Sequence, residues 1–436
     1  MLPTSPPPRD FSRWQLFFYT TRMRVFRIQL WPRCEIPPGC ALPTGFRPFV
    51  VLALMAFPLV LPDRVCPQSS SSAPSFSIVS KRAAEARDAN RLGEAGALYE
   101  KALAIRPRWA DGWWSLGAIQ YDLDHYADAA RSFQRLIILD PRNGTAHAML
   151  GLCQFELGKD APSLKNLLAA EQLGILKDVQ LRTVALYHLG VLQLRAGRYG
   201  AAKESFGQLV KDRIKTKELI SGLGLAALLI KSQQAPAEGT PGAVVVDRAG
   251  EAEALFIAND FDRAKEQYGQ LVDEFSDYPN LHFAYGRLLL QTHDGNDAIR
   301  QFELELKRDP KHVNSMLEIA VAREQLEPQD GLKYAEEAAR LAPALPFAHY
   351  ILGKLRLDTG NAAGAIPELE IARKSFATEP GIYFALGKAY AQVGRKSDAV
   401  RARAEFARLN ALAAKEQGPT IYGGEGKPLD KEKPQE

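Results

Sequence analysis

The residues with the most chemical promise are Gly222-Leu-Gly224-Leu-Ala-Ala227, whose letters match the glycine fingerprint of dinucleotide-binding proteins. That chemistry needs a strand-to-helix turn, where glycines admit a pyrophosphate to a helix N-terminus. Here the glycines fall inside a helical apolar pattern, at places where two helices would pack. Packing is therefore the reading, and no cofactor is expected. The seven histidines are scattered, and none forms HExxH or pairs with cysteine at zinc spacing, so no metal site is expected. Of Cys34, Cys40, Cys66 and Cys153, only Cys153 lies in the main body of the chain, where a small buried thiol is expected. No intrachain disulfide can then brace that body. Residues 233–248 read as an insertion whose only carboxylates are Glu238 and Asp247, too few to converge as a catalytic site.

The elements that would position these residues are helices. From Ala110 to Asn143 apolar side chains recur at helical spacing in two runs, broken between them at Leu123-Asp-His-Tyr126. With Ala110 as position 1, Trp113 stands at 4, Leu116 at 7, Gly117 at 8, Tyr126 at 17, Ala129 at 20, Phe133 at 24, Leu136 at 27 and Pro141 at 32. Two antiparallel helices follow. Gly117 and Ala129 leave room where the axes come closest, and Pro141 ends the second helix. The register holds 34 residues earlier, at Ala95, Tyr99, Ala102 and Pro107, and 34 later, at Ser163, Leu167, Ala170 and Ile175. A single hairpin leaves an apolar face open, so it needs such neighbours.

This pattern resembles the tetratricopeptide repeat. The resemblance covers residues 76–413 in about nine units with one break. It implies an all-α fold, a right-handed superhelical solenoid of antiparallel helix pairs. Units one to four occupy 76–216, the first a degenerate cap. Residues 217–248 read as an orphan helix over 217–232 and a loop over 233–248, and units five to nine occupy 249–413. The last helix carries Arg401, Arg403 and Arg408, polar enough to close the array. Residues 414–436, mostly Gly, Pro, Lys and Glu, are expected to be a disordered tail, too poor in apolar side chains to order itself.

Residues 1–75 differ from the rest. An apolar run over 48–62 follows Arg47 and precedes a Ser-rich stretch. Its length suits a signal-peptide core better than a bilayer-spanning helix of roughly 20 residues. The expectation is export, to a periplasmic or secreted location, or membrane anchoring through 48–62; a cytoplasmic location follows if the run is an artefact of a start codon placed too early. Of the formal charge of +4, residues 1–65 hold +5 and the remainder −1. A near-neutral repeat body offers no basic face for nucleic acid.

In the family, positions 2, 5, 9, 12 and 13 of successive first helices line a concave groove. Position 5 reads Trp114, Ala148, Tyr187, Ala249, Phe283, Leu317, Tyr350 and Phe384, and position 12 includes Tyr121. Flat amphipathic rings bury large area at low entropic cost, which suits a peptide laid along the groove. Partner-binding is therefore expected at Trp114, Tyr121, Tyr187, Phe283, Tyr350 and Phe384, with the position 9 cations Arg287 and Lys354 able to attract acidic groups. The Asn and Lys clamp by which some family members hold a chaperone's terminal carboxylate is absent. His147, His282 and His349 share position 4, a regularity that signals packing. The expected function is a non-catalytic scaffold or adaptor for protein or peptide segments, with no small-molecule substrate. A membrane-anchored assembly factor and a regulatory subunit of a separately encoded enzyme are the alternatives.

Overall fold

The computed structural model describes residues 75–174, 178–324 and 327–416. Among them the regular elements are α-helices and one short 3-10 turn at Ser232–Gln234, so the expected all-α class holds. The residues 48–62, the cysteines 34, 40 and 66, and the tail beyond Glu416 lie outside the described residues. No helix among the described residues is long and apolar enough to cross a membrane.

The chain divides into two compact units at Leu173. The first contains α1 (Phe76–Asp88), α2 (Leu92–Ile105), α3 (Ala110–Asp122), α4 (Tyr126–Leu139), α5 (Gly144–Glu156) and α6 (Asp160–Leu173). They form three hairpins stacked in chain order. The second contains α7 (Val179–Arg195), α8 (Tyr199–Lys211), α9 (Lys217–Ala227), α10 (Pro241–Ile257), α11 (Phe261–Glu274), α12 (Leu281–Gln291) and α13 (Gly295–Arg308). It continues with α14 (Val313–Arg323), α15 (Pro328–Leu341), α16 (Pro346–Asp358), α17 (Ala362–Ser375), α18 (Pro380–Gln392) and α19 (Lys396–Glu416).

One contact repeats through both units. A glycine on the first helix of a hairpin lies beneath the side chain sixteen residues on: Gly117 under Phe133, Gly151 under Leu167, Gly190 under Phe206, Gly286 under Phe302 and Gly353 under Leu369. A β-carbon on Gly117 would stand 2.9 Å from Phe133, and one on Gly353 2.7 Å from Leu369. The covering residues are essentially inaccessible to solvent, each burial contributing roughly 1.5–3 kcal/mol before entropy is counted. Ser163 replaces the alanine found at the equivalent place in other units, and its hydroxyl donates to the Gly151 carbonyl at 2.7 Å. The polar substitution is thus satisfied inside the helix crossing.

The hairpin turns repeat as well. Asn90, Asp124 and Gly158, spaced 34 residues apart, all adopt left-handed backbone with φ of 56°, 60° and 68°. Glycine does so freely, and Asn and Asp at modest cost.

The segment 217–248 differs from expectation. The helix at 217–227 is paired, and the loop is shorter than 233–248 because α10 begins at Pro241, with Thr240 accepting a hydrogen bond from the Ala243 amide as its cap. The helix is therefore under way eight residues before Ala249, the start expected for unit five. α10 packs on α9 on one side and on α11 on the other. The Gly222 and Gly224 pair lies within α9, at packing positions, as the sequence suggests. Helix α19 runs three residues past the expected boundary at 413.

Two buried acids tie the second unit together. Glu253 of α10 accepts from the Tyr268 hydroxyl of α11 at 3.0 Å and pairs with Lys203 of α8. Burial, and then the Glu253 charge, push the Tyr268 phenol well above its ordinary range. Glu305 of α13, fully buried at a position that is apolar in unit two, accepts from the Asn280 amide at 3.2 Å and the Phe283 amide at 3.4 Å. It thereby caps the N-terminus of α12, where a negative charge is favourable, and Arg308 neutralises it at 2.6 Å. Asn280 also donates through its side chain to the Leu228 carbonyl at 2.8 Å, anchoring α12 to the chain that leaves α9.

Candidate partner-binding surface

Position 4 of the first helices is structural. The Trp113 indole N–H donates to the Pro107 carbonyl at 2.9 Å, and the Tyr383 hydroxyl to the Ala377 carbonyl at 2.8 Å. The Nε2 atoms of His147 and His349 meet the carbonyls of Pro141 and Pro343 at 3.3 and 2.9 Å. In every case the acceptor lies six residues back, in the turn that precedes the helix. The Nδ1 atoms of His147, His282 and His349 lie 3.0, 2.6 and 2.6 Å from Asn166, Gln301 and Glu368, always nineteen residues on. These rings staple turn to hairpin, as their shared position suggests. Among the described residues no three His, Cys, Asp or Glu side chains converge as a metal site. Burial pushes the Cys153 thiol up to about 12, which suits a packing residue and not a nucleophile.

Position 5 divides into two groups. Trp114 rests edge-on against Phe133 with centroids 5.6 Å apart, and Tyr187 tilts on Phe206 at 6.1 Å. Each spends one side on its own hairpin and stays half-buried, as does Tyr350. Burial, followed by the Glu218 charge from α9, pushes the Tyr187 phenol up to about 12, so it serves as a neutral hydroxyl. Phe384 is the most open of the set, 59% exposed.

Two of the expected groove residues are corrected by the geometry. Phe283 is only 6% exposed, closed by Phe302 on one side at 5.9 Å and by His312 on the other at 5.1 Å. Tyr121 is 9% exposed and lies against Tyr126 at 5.3 Å. Both rings are core. Position along the helix fixes which way a side chain leaves the axis; what the following turn lays over it decides burial.

The expected cations are engaged within the chain. Arg287 pairs with Glu318 at 2.6 Å and Lys354 with Glu324 at 2.7 Å, and nearby Lys388, not among those expected, pairs with Asp358 at 3.1 Å. Burial draws the Lys354 ammonium down, but the hydrogen bond and charge of Glu324 outweigh it and leave the group raised. Lys354 also sits over the Tyr350 ring, 5.6 Å from its centroid. Cations paired in this way give little net pull on an acidic ligand.

Sequence reasoning passed over Phe347, which is 42% exposed and lies 6.4 Å from the Tyr350 ring. It occupies position 2 of its unit, a groove position by the family pattern, so the signal was present. In the second unit Phe347, Tyr350 and Phe384 thus offer aromatic surface on first helices, beside the ion pairs of Lys354 and Lys388. Trp114 offers the same in the first unit.

Helical hairpins stacked in a fixed register define the class of helical repeat proteins. A family model described as tetratricopeptide repeat matches residues 115–174 and 250–313, and a second of the same description matches 184–213. Over those residues the chain carries tetratricopeptide repeats. No curated protein matches it significantly.

Among solved structures, MamA from Desulfovibrio magneticus RS-1 is 19% identical, covering 39% of this chain and 98% of its own, with a TM-score of 0.34. A tetratricopeptide repeat protein from Parabacteroides merdae is 15% identical, covering 64% and 98%, with a TM-score of 0.30. Yeast Tom70 is 12% identical, covering 78% and 84%, with a TM-score of 0.32. Identities and TM-scores this low say nothing about function.

Proposed function

We propose that this protein is a non-catalytic scaffold that holds segments of partner proteins on the first-helix face of its hairpins. The observation that supports this most is the 59% exposure of Phe384 alongside Phe347 at 42%, with Tyr350 half-buried between them in sequence. Aromatic rings left in water on first helices, at positions 2 and 5 of their units, are contact surface available to a partner, and flat rings lose little entropy on binding. Trp114 and Tyr187 supply the same kind of half-exposed ring elsewhere in the chain. The paired states of Arg287 and Lys354 favour an apolar or amphipathic segment over a purely acidic one.

Tagged full-length protein, used to capture partners from its native host and read by mass spectrometry, tests the proposal. Partners held by the wild type and lost by a Phe347→Ser/Phe384→Ser variant of unchanged helicity support it. Undiminished capture by that variant removes the support. Export or membrane attachment through 48–62 belongs to the same proposal, and is tested by N-terminal sequencing of the mature protein together with a high-salt wash of membranes.

A further inference from the structure

The position 4 staple is missing from unit two. In three other units a histidine there meets a polar side chain nineteen residues on, at Asn166, Gln301 and Glu368. In unit two the corresponding pair is Trp113 and Ser132, and the Ser132 hydroxyl donates instead to Gln120 at 2.6 Å. A hollow of about 520 Å³ opens there, floored by Leu103 and Leu116, with the half-buried Trp113 beside them. Its walls are the second helices α2 and α4, which run parallel because each is the return leg of its hairpin. The small side chain of Ala104 on α2 helps to leave it open. The same repeat position in unit two, thirty-four residues on, is Ile138, which stands 62% exposed on α4. The two walls also carry opposite charges: Glu100 lines the α2 side and Arg135 the α4 side. Both are exposed, and neither side chain has an ion pair or hydrogen bond among the described residues. Arg131, the other cation of the α4 wall, is taken by Asp128.

We propose that this second-helix face pairs with the same face of a second copy of the chain. A two-fold axis parallel to the helices sets α4 of each copy against α2 of the other, so that every contact is made twice. The repeat register fits that axis without a shift. Ala104 and Ile138 share a repeat position and hence a level along their helices, so each Ile138 enters the other copy's hollow beside Ala104 and Trp113. Glu100 is level with Gln134, one residue or about 1.5 Å from Arg135, so each carboxylate meets the other copy's guanidinium. An antiparallel pairing that seated the isoleucines would leave those charges roughly 10 Å out of step. Burial of Ile138 supplies the attraction, and the unpaired charges fix which way round the copies meet.

Sedimentation equilibrium of purified full-length protein, with no other protein present, tests this, and its failure would leave the first-helix reading standing. The expected result is a dimer at micromolar concentration, weakened at least about tenfold by Ile138→Asp at unchanged helicity. Glu100→Arg and Arg135→Glu should each abolish pairing alone, because each sets like charges together at two places. An equimolar mixture of those two variants should pair as tightly as wild type, since their reversed side chains complement one another across the axis. All three positions are exposed, so folding is spared. A monomeric wild type, a dimer indifferent to Ile138→Asp, or a mixture no tighter than its separate components would overturn the proposal.

Discussion

Gly224 of α9 and Gly250 of α10 face each other across a helix crossing so close that the Gly250 amide nitrogen lies 3.0 Å from where a Gly224 β-carbon would stand. A β-carbon at Gly224 would overlap the Val246 carbonyl oxygen, and one at Gly250 the Ile220 carbonyl oxygen. At Gly117, Gly151, Gly190, Gly286 and Gly353 the nearest atoms belong to a side chain that can shift; here backbone meets backbone. The break in the array is therefore a hairpin of its own, closed by two glycines in place of a glycine and a ring. Gly224→Ala should destabilise by about 3 kcal/mol or more, at or above the upper end of overpacking costs, because neither helix can yield without moving as a body. Thermal or denaturant unfolding measures it, and a loss below about 1 kcal/mol would place the crossing elsewhere.

Gly117→Leu and Gly96→Ala should differ in sign. A side chain at Gly117 meets the Phe133 ring at 2.9 Å and should cost about 1–3 kcal/mol or more. At Gly96, inside α2, the nearest atom to a new β-carbon is Ile119 Cγ2 at 3.8 Å, an ordinary contact. Relief of glycine's backbone entropy should then stabilise by about 0.5–1 kcal/mol. Paired melting curves decide the matter.

Serine at two equivalent rings should also separate fold from surface. Phe283→Ser removes a ring enclosed by Phe302 and His312 and should cost about 3–5 kcal/mol, by analogy with large-to-small core changes. Phe384→Ser touches an exposed ring and should stay within about 1 kcal/mol. Chemical denaturation of the two variants checks this, and equal losses would mean that the two environments are alike.

His188 predicts a pH dependence. Burial pulls its imidazole from the ordinary 6.5 down to about 4, with Nδ1 placed 2.8 Å from the Val184 carbonyl. Between those values the unfolded chain binds a proton that the folded chain refuses, so this contribution is complete above 6.5 and is lost as pH falls toward 4. The loss is on the order of 3 kcal/mol. Unfolding free energies of wild type and His188→Phe, measured across that window, should differ in slope, the wild type falling more steeply on acidification. Parallel curves would show that His188 titrates alike in both states.

The repeat was legible because its signals are local in sequence: Gly117 with Phe133, Gly151 with Leu167, and prolines such as Pro107 and Pro141 that follow second helices. The three equivalent histidines were legible for the same reason. The start of α10 was hidden by composition, since Thr240-Pro241-Gly242 reads as loop although Thr240 is a cap and Pro241 suits a first helical turn. The burial of Phe283 was not legible, because His312, twenty-nine residues on, decides it. Glu305 was likewise hidden: an acid at a core position makes sense only once the α12 amides it serves are seen beside it.

The central claim is that exposed rings on the first helices, and not buried ones, carry partner contact. Its most direct measurement is the affinity of a purified captured partner for wild type, Phe347→Ser/Phe384→Ser and Gly96→Ala, by calorimetry at one salt concentration. The account predicts at least about a tenfold loss for the double variant, some 1.4 kcal/mol, with Gly96→Ala equal to wild type. Equal affinities for all three would contradict it.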